Sequence, residues 1–123
     1  MVIDTGIFIE HLRAKDKSNT TLYLLPANSE LFISSVALYE LYMGATSPEK
    51  ENDVRKITED ITVLPFNDAV AIKAAQLYHQ LKRQNKLIEF RDIFIAATCI
   101  VNELPLVTLN KKHFNRIEEL KLV

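Results

Sequence analysis

Residues 1–13 read MVIDTGIFIEHLR, and the order of residue types in that stretch decides the fold. Three apolar residues run straight into Asp4, and Thr5 and Gly6 then open an amphipathic segment. A short, uninterrupted apolar run is the pattern of a strand buried on both faces, as in a parallel sheet. The residues after Asp4 predict a helix capped by Thr5 and running to about Arg13. A strand that hands directly to a helix is the first half of a β–α–β unit. Asp4 then falls at the carboxyl end of the strand, where open α/β sheets bind their ligands.

The alternation continues down the chain. Apolar runs recur as LFIS (31–34), TVLPF (62–66) and PLVTL (105–109), with a last one in LKLV (120–123). Between them lie helix patterns. A weak one covers 18–25 and stops at Pro26. Ser34 or Ser35 opens a second that Gly44 closes. Ser47 followed by Pro48 starts a third, with Glu49 and Glu51 in its first turn. Asn67 or Asp68 starts a long fourth, with Ala71, Ala74, Ala75 and Tyr78 on one stripe. Residues 90–102 form a nearly all-apolar, central helix, and a short one lies near 110–116. The expectation is an α/β fold, a three-layer α/β/α sandwich with a mainly parallel sheet of about five strands, in a single domain over residues 1–123.

Composition narrows the function. The chain has 123 residues, 48% of them hydrophobic and 25% charged, with a net charge of −1, as in an ordinary globular protein. Only two glycines occur, so no Gly-rich phosphate loop or dinucleotide fingerprint is available. The single cysteine, Cys99, rules out an internal disulfide and reads as a buried thiol in a reducing compartment. No uncharged run is long enough to span a bilayer and the start is unlike a secretion signal, so a cytoplasmic location is expected.

Three carboxylates stand where the surrounding sequence wants burial. Asp4 is the only charged residue among the first nine, Glu40 the only one between Leu31 and Pro48, and Asp92 precedes ten residues without charge. Glu40 shares a helical stripe with Val36 and Met43, while the opposite stripe, Ala37, Leu41 and Gly44, is also apolar. A buried carboxylate needs a partner. Local partners exist for each acid: helix capping for Asp4 and Asp92, and an ion pair with Arg91 for Glu40. Taken together, clustered acids at a sheet edge call for a cation, and hard oxygen donors suit Mg²⁺ or Mn²⁺. Such ions activate water and stabilise charge at phosphorus. Lys111, Lys112 and Arg116 follow Thr108 and Asn110 at a strand end. With Arg13, Lys15 and Lys17, and Lys82, Arg83 and Lys86, they offer rims for a nucleic-acid backbone.

VIDTGIFIEHL, ISSVALYEL, EFRDIFIAAT and LVTLNKKHF, in this order and spacing, resemble the PIN-domain ribonucleases, specifically toxins of the VapC type. The likeness spans essentially the whole chain. It implies a metal-dependent endoribonuclease, the toxin component of a VapBC-type toxin–antitoxin system. Mg²⁺ or Mn²⁺ would be held by Asp4, Glu40 and Asp92, which also serve as the catalytic acids. It further implies an RNA substrate, a homodimer, and a small VapB-like antitoxin whose C-terminal segment lies across the site. Thr5 is expected to bond Asp4 or a metal water through its hydroxyl. Thr108, Asn110, His113, Lys111, Lys112 and Arg116 are expected around the metal or on the RNA backbone. Two departures stand out. Gly6 replaces the usual Asn, and the positions that commonly carry a further acid hold Asn110 and His113. Glu89, one turn before Asp92, is a possible substitute or simply a surface acid.

Rival readings remain on the sequence alone. DTG is also the aspartic-protease signature, but those enzymes are rich in strands and glycine. A receiver-like binding module would need an acidic pair at the first strand end. A PIN-like protein that only binds a partner is compatible with the missing fourth acid.

Overall fold

The computed structural model describes residues 1–123. Strands β1 (Val2–Ile3), β2 (Phe32–Ser34), β3 (Thr62–Leu64) and β4 (Leu106–Val107) form one parallel sheet in the order β3–β2–β1–β4. Helices α1 (Thr5–Arg13), α2 (Thr21–Leu24), α3 (Ser35–Gly44), α4 (Pro48–Thr58), α5 (Asp68–Arg83), α6 (Phe90–Val101) and α7 (Lys111–Phe114) flank it. The expected α/β architecture is present with four strands. The fifth apolar run adds only Leu122, in a single parallel bridge to Leu106. β3 is an edge strand with Thr62 and Val63 exposed, so not every apolar run is buried on both faces.

The helix starts follow the side chains that precede them. Ser34, Ser47 and Asn67 each accept a backbone N–H in the first turn of α3, α4 and α5. Asp4, not Thr5, caps α1. The weak helix at 18–25 is a 3₁₀ turn, Lys17–Asn19, followed by α2. Gly44 ends α3 without adopting a positive φ, so its role there is not a left-handed cap. In α5 the buried stripe is Val70, Ala74, Leu77 and Leu81, and Ala71 and Ala75 face outward. Four alanines in the segment gave the stripe no unique phase, and the larger residues decide which face is buried.

One core of 23 buried apolar residues includes Ile3, Phe8, Ile33, Ile95 and Phe114. α6 is the central helix expected from its apolar sequence and packs against α5 and α3. The chain moves outward from β1 to β2 and β3, then returns to the other side of β1 as β4. The strand order therefore reverses between β1 and β4. The crevice beyond their carboxyl ends is the place where such sheets bind ligands.

Candidate active site

Asp4 and Thr108 end the two strands that flank this switch point. The backbone N–H of Asp4 extends the ladder to Val107, donating to its carbonyl at 3.0 Å. Its Oδ1 accepts from the Thr5 N–H at 2.8 Å and its Oδ2 from the Thr108 hydroxyl at 2.6 Å. The Asp4 pKa is nonetheless raised. Burial is the largest cause and Asp92 adds repulsion, against the two hydrogen bonds and the Arg91 charge.

Asp92 lies in the first turn of α6 and is not its cap. The cap position is Glu89, whose carbonyl accepts the Asp92 N–H at 3.1 Å. The Asp92 side chain is 3% exposed, yet its nearest basic nitrogens stand off, Arg91 Nε at 3.5 Å and His113 Nδ1 at 3.7 Å. Close charge-assisted bonds are about 2.7–2.9 Å. Burial raises the Asp92 pKa, with Glu89 adding to the rise and Arg91 and His113 opposing it.

Glu40 completes the group from α3. Its Oε1 accepts from the Thr5 hydroxyl at 2.9 Å and its Oε2 from Arg91 Nη1 at 2.7 Å. The Thr5 hydroxyl thus goes to Glu40, while Asp4 takes the Thr5 backbone N–H. The turn geometry explains the exchange: as cap, Asp4 reaches the first free N–H of α1, leaving the Thr5 side chain to face α3. Val36 and Met43, the stripe shared with Glu40, are not core; Met43 is 61% exposed.

Asn110 and His113 occupy the fourth corner. The Asn110 N–H donates to the Thr108 hydroxyl at 3.0 Å, and its side-chain amide lies 2.8 Å from His113 Nδ1. Lys111 and Lys112 are exposed on α7, directly after Asn110. Arg116 is anchored, donating to the Leu87 carbonyl at 3.0 Å. Glu89 is exposed and 3.6 Å from Arg91, so it stays at the surface. Cys99 is buried, its thiol pushed up to about 12 mainly by desolvation, and it is no nucleophile at neutral pH.

Asp4, Glu40 and Asp92 are therefore joined in one network through Thr5 and Arg91. The residues do not yet stand as a finished cage: no three of the His, Cys, Asp and Glu side chains are close enough together to hold one ion. Asp4 and Asp92 nevertheless have the donor chemistry for a hard cation. They are two buried carboxylates whose protonation is favoured chiefly by desolvation, with a neighbouring acid adding to the rise. Mg²⁺ is commonly held by one or two protein carboxylates, with waters and substrate phosphates completing its shell.

Two grooves adjoin Glu40. One of about 340 Å³ is lined by Ile9, Leu12, Arg13, Leu41 and Val54 among others, between α1, α3 and α4. The other, about 510 Å³, is lined by Val36, Tyr39, Met43, Phe90, Arg91 and Phe94. No helix is long and apolar enough to cross a membrane.

A parallel α/β sheet with acids converging at its switch point defines the class: a PIN-like α/β protein. The PIN domain family model matches residues 1–120. Ribonuclease VapC10 of Mycobacterium tuberculosis is 31% identical over 121 residues, covering 98% of this chain and 90% of that protein. Ribonuclease VapC1 of Methanocaldococcus jannaschii is 28% identical, covering 99% and 84%. The crystal structure of VapBC2 from Rickettsia felis bound to a promoter DNA fragment superimposes with a TM-score of 0.86 at 26% identity, covering 99% of this chain and 96% of that one. The chain belongs to the PIN-domain family and, within it, to the VapC ribonuclease toxins of VapBC toxin–antitoxin systems. The parallel sheet removes the aspartic-protease reading, and the family membership removes the receiver reading.

Sequence reasoning named every acid of the network, and Arg91 only as a rival partner for Glu40. The signal for its bridging position is that Arg91 directly precedes Asp92 in EFRD, one residue apart at the entrance of a buried helix.

Proposed function

We propose that this protein is a Mg²⁺- or Mn²⁺-dependent endoribonuclease whose metal-binding and catalytic residues are Asp4, Glu40 and Asp92. The observation that carries the reading is the convergence of Asp4 and Asp92 at the switch point, both buried and both under-compensated. A bound divalent ion would supply an activated water and charge stabilisation at phosphorus. Asp4 and Asp92 would provide its protein oxygens, and Glu40 would orient or deprotonate the attacking water. Thr108 and the Thr5 N–H hold Asp4 in place, as second-tier partners do for metal ligands generally. Asn110 and His113 would stand beside Asp92 toward the scissile phosphate. Lys111, Lys112 and Arg116 would meet the RNA backbone.

A VapB-like antitoxin is the expected partner. The R. felis relative is a VapBC assembly, and the apolar groove beside Glu40 offers a course for a protein segment toward the site. A homodimer is supported by the face bearing Tyr39, Met43 and Phe90, which are 65%, 61% and 65% exposed. The working compartment proposed is the cytoplasm, with Cys99 kept reduced.

The test is purified protein on RNA with Mn²⁺ or Mg²⁺, with and without chelator, beside Asp4→Ala. Cleavage should need the ion and vanish in the variant. Cleavage that survives both would overturn the reading. A folded protein that binds antitoxin but cuts no RNA with either ion would favour the binding-only alternative.

A further inference from the structure

Resting on the metal reading above, the geometry points to Arg91 as an internal counter-cation that holds Glu40 and Asp92 until a divalent ion takes them. The guanidinium is placed for this. Its Nη1 donates to Glu40 Oε2 at 2.7 Å, while Nε lies 3.5 Å from Asp92 Oδ1 and 3.6 Å from Glu89 Oε2. One cation thus faces acids from α3 and α6 together. The partners differ sharply in burial: the side chains of Asp92 and Glu40 are 3% and 11% exposed, that of Arg91 51%. The acids are held by the fold, whereas Arg91 reaches them from the solvent side and can leave without repacking the core.

The contact is uneven. Arg91 binds Glu40 closely and Asp92 only at a distance, so Glu40 is the acid withheld. A guanidinium cannot lose its proton at any ordinary pH, so while the carboxylates stay ionised the hold is released by competition for them. Arg91 is a positioning residue in this scheme. It stabilises the metal-free acids at the cost of metal affinity.

The test uses Mn²⁺ chloride titrated calorimetrically into the whole chain, with thermal unfolding measured in chelator and in Mn²⁺. Wild type is compared with Arg91→Gln, Arg91→Lys, Glu40→Gln and the Glu40→Gln/Arg91→Gln double variant. Arg91→Gln should unfold several degrees lower in chelator, because buried acids lose their cation. It should also bind Mn²⁺ more tightly, by roughly 3–10-fold, as a competing charge near the acids is removed. Arg91→Lys, which keeps the charge but not the fork, should fall between. In the Glu40→Gln background the tightening on removing Arg91 should shrink. Unchanged or weaker Mn²⁺ binding in Arg91→Gln, with wild type binding normally, overturns the counter-cation role and leaves the metal site standing. The same tightening in the Glu40→Gln background also overturns it, as diffuse charge alone would do that. If neither protein binds Mn²⁺ while both are folded, the metal reading fails and this inference with it.

Discussion

The two ends of α1 solve the same problem with different partners. At its C-terminal end everything is local. Lys17 Nζ donates to the carbonyls of His11, Leu12 and Ala14 at 2.7, 3.3 and 3.1 Å, closing the helix. Glu10 accepts the Thr21 N–H at 2.6 Å, and His11 Nδ1 lies 2.6 Å from the Thr20 hydroxyl. None of these partners is more than 11 residues away. At the N-terminal end, Thr5 reaches Glu40 across 35 residues and Asp4 reaches Thr108 across 104. The local end is capped and finished. The remote end gathers like charges and leaves Asp4 and Asp92 with raised pKa values. A contact that serves folding alone is supplied cheaply by neighbours. Unneutralised acids drawn from distant segments oppose folding, and their arrangement makes sense as a binding site.

The comparison breaks if the remote end proves to be merely structural. Asp92→Asn should lower RNA cleavage by about 100-fold or more, the scale expected when a group serving the reacting water is lost. In chelator it should unfold no lower than wild type, because it relieves repulsion; a large loss of stability would make Asp92 structural. Thr108→Val should weaken Mn²⁺ binding and activity by about 10–100-fold, as loss of a ligand's outer partner does. That is read by calorimetry and by RNA cleavage rate.

Effects at the local end should touch stability only. Thr20→Val, which removes the α2 cap and the His11 partner, should lower the melting temperature by a few degrees and leave RNA cleavage unchanged; an activity loss would erase the contrast between the ends.

The ends should also respond oppositely to pH. Burial raises the carboxyl pKa of Asp4 and Asp92 above the ordinary 3.8, so the folded state prefers them protonated. Their contribution to stability is therefore present at acid pH and lost as pH rises through their folded values. Burial and Lys17 lower the His11 pKa below 6.5, so the folded state prefers it neutral. Its contribution is present above 6.5 and lost as pH falls toward the folded value. Melting temperatures in chelator should therefore decline less as pH rises above 3.8 in Asp92→Asn, with Asp4 keeping its share, and lose their mildly acidic decline in His11→Gln. Unaltered profiles would count against these assignments.

The smallest effect is expected from Gly6→Asn. A Cβ at Gly6 meets nothing within 4 Å, and Asn is slightly the better helix residue, so stability should rise by about 0.3 kcal/mol. A measurable fall in denaturant midpoint would show a constraint there that the backbone does not display.

Much was open to reading in one dimension, because strand runs, cap residues and a central apolar helix are short-range patterns. MVI followed by Asp4 announced a strand end, and Ser34, Ser47 and Asn67 marked helix starts found at those positions. The acids stood out because each borders or interrupts an otherwise uncharged, largely apolar stretch. The α5 stripe was misphased because alanine fits either face. The fifth apolar run forms one bridge, Leu122 with Leu106, rather than a strand.

What the order of residues determined by itself was the alternation of elements and the membership of Asp4, Glu40 and Asp92 in one unusual set. Local propensity and burial preference depend on near neighbours, so they are written in the chain. Which donor each acid meets was decided only in three dimensions. The Thr5 hydroxyl turned to Glu40 and not Asp4, and Arg91 placed one guanidinium between α3 and α6. Those pairings follow from where the strand order reverses and how the helices cross, and no spacing along a single segment encodes that.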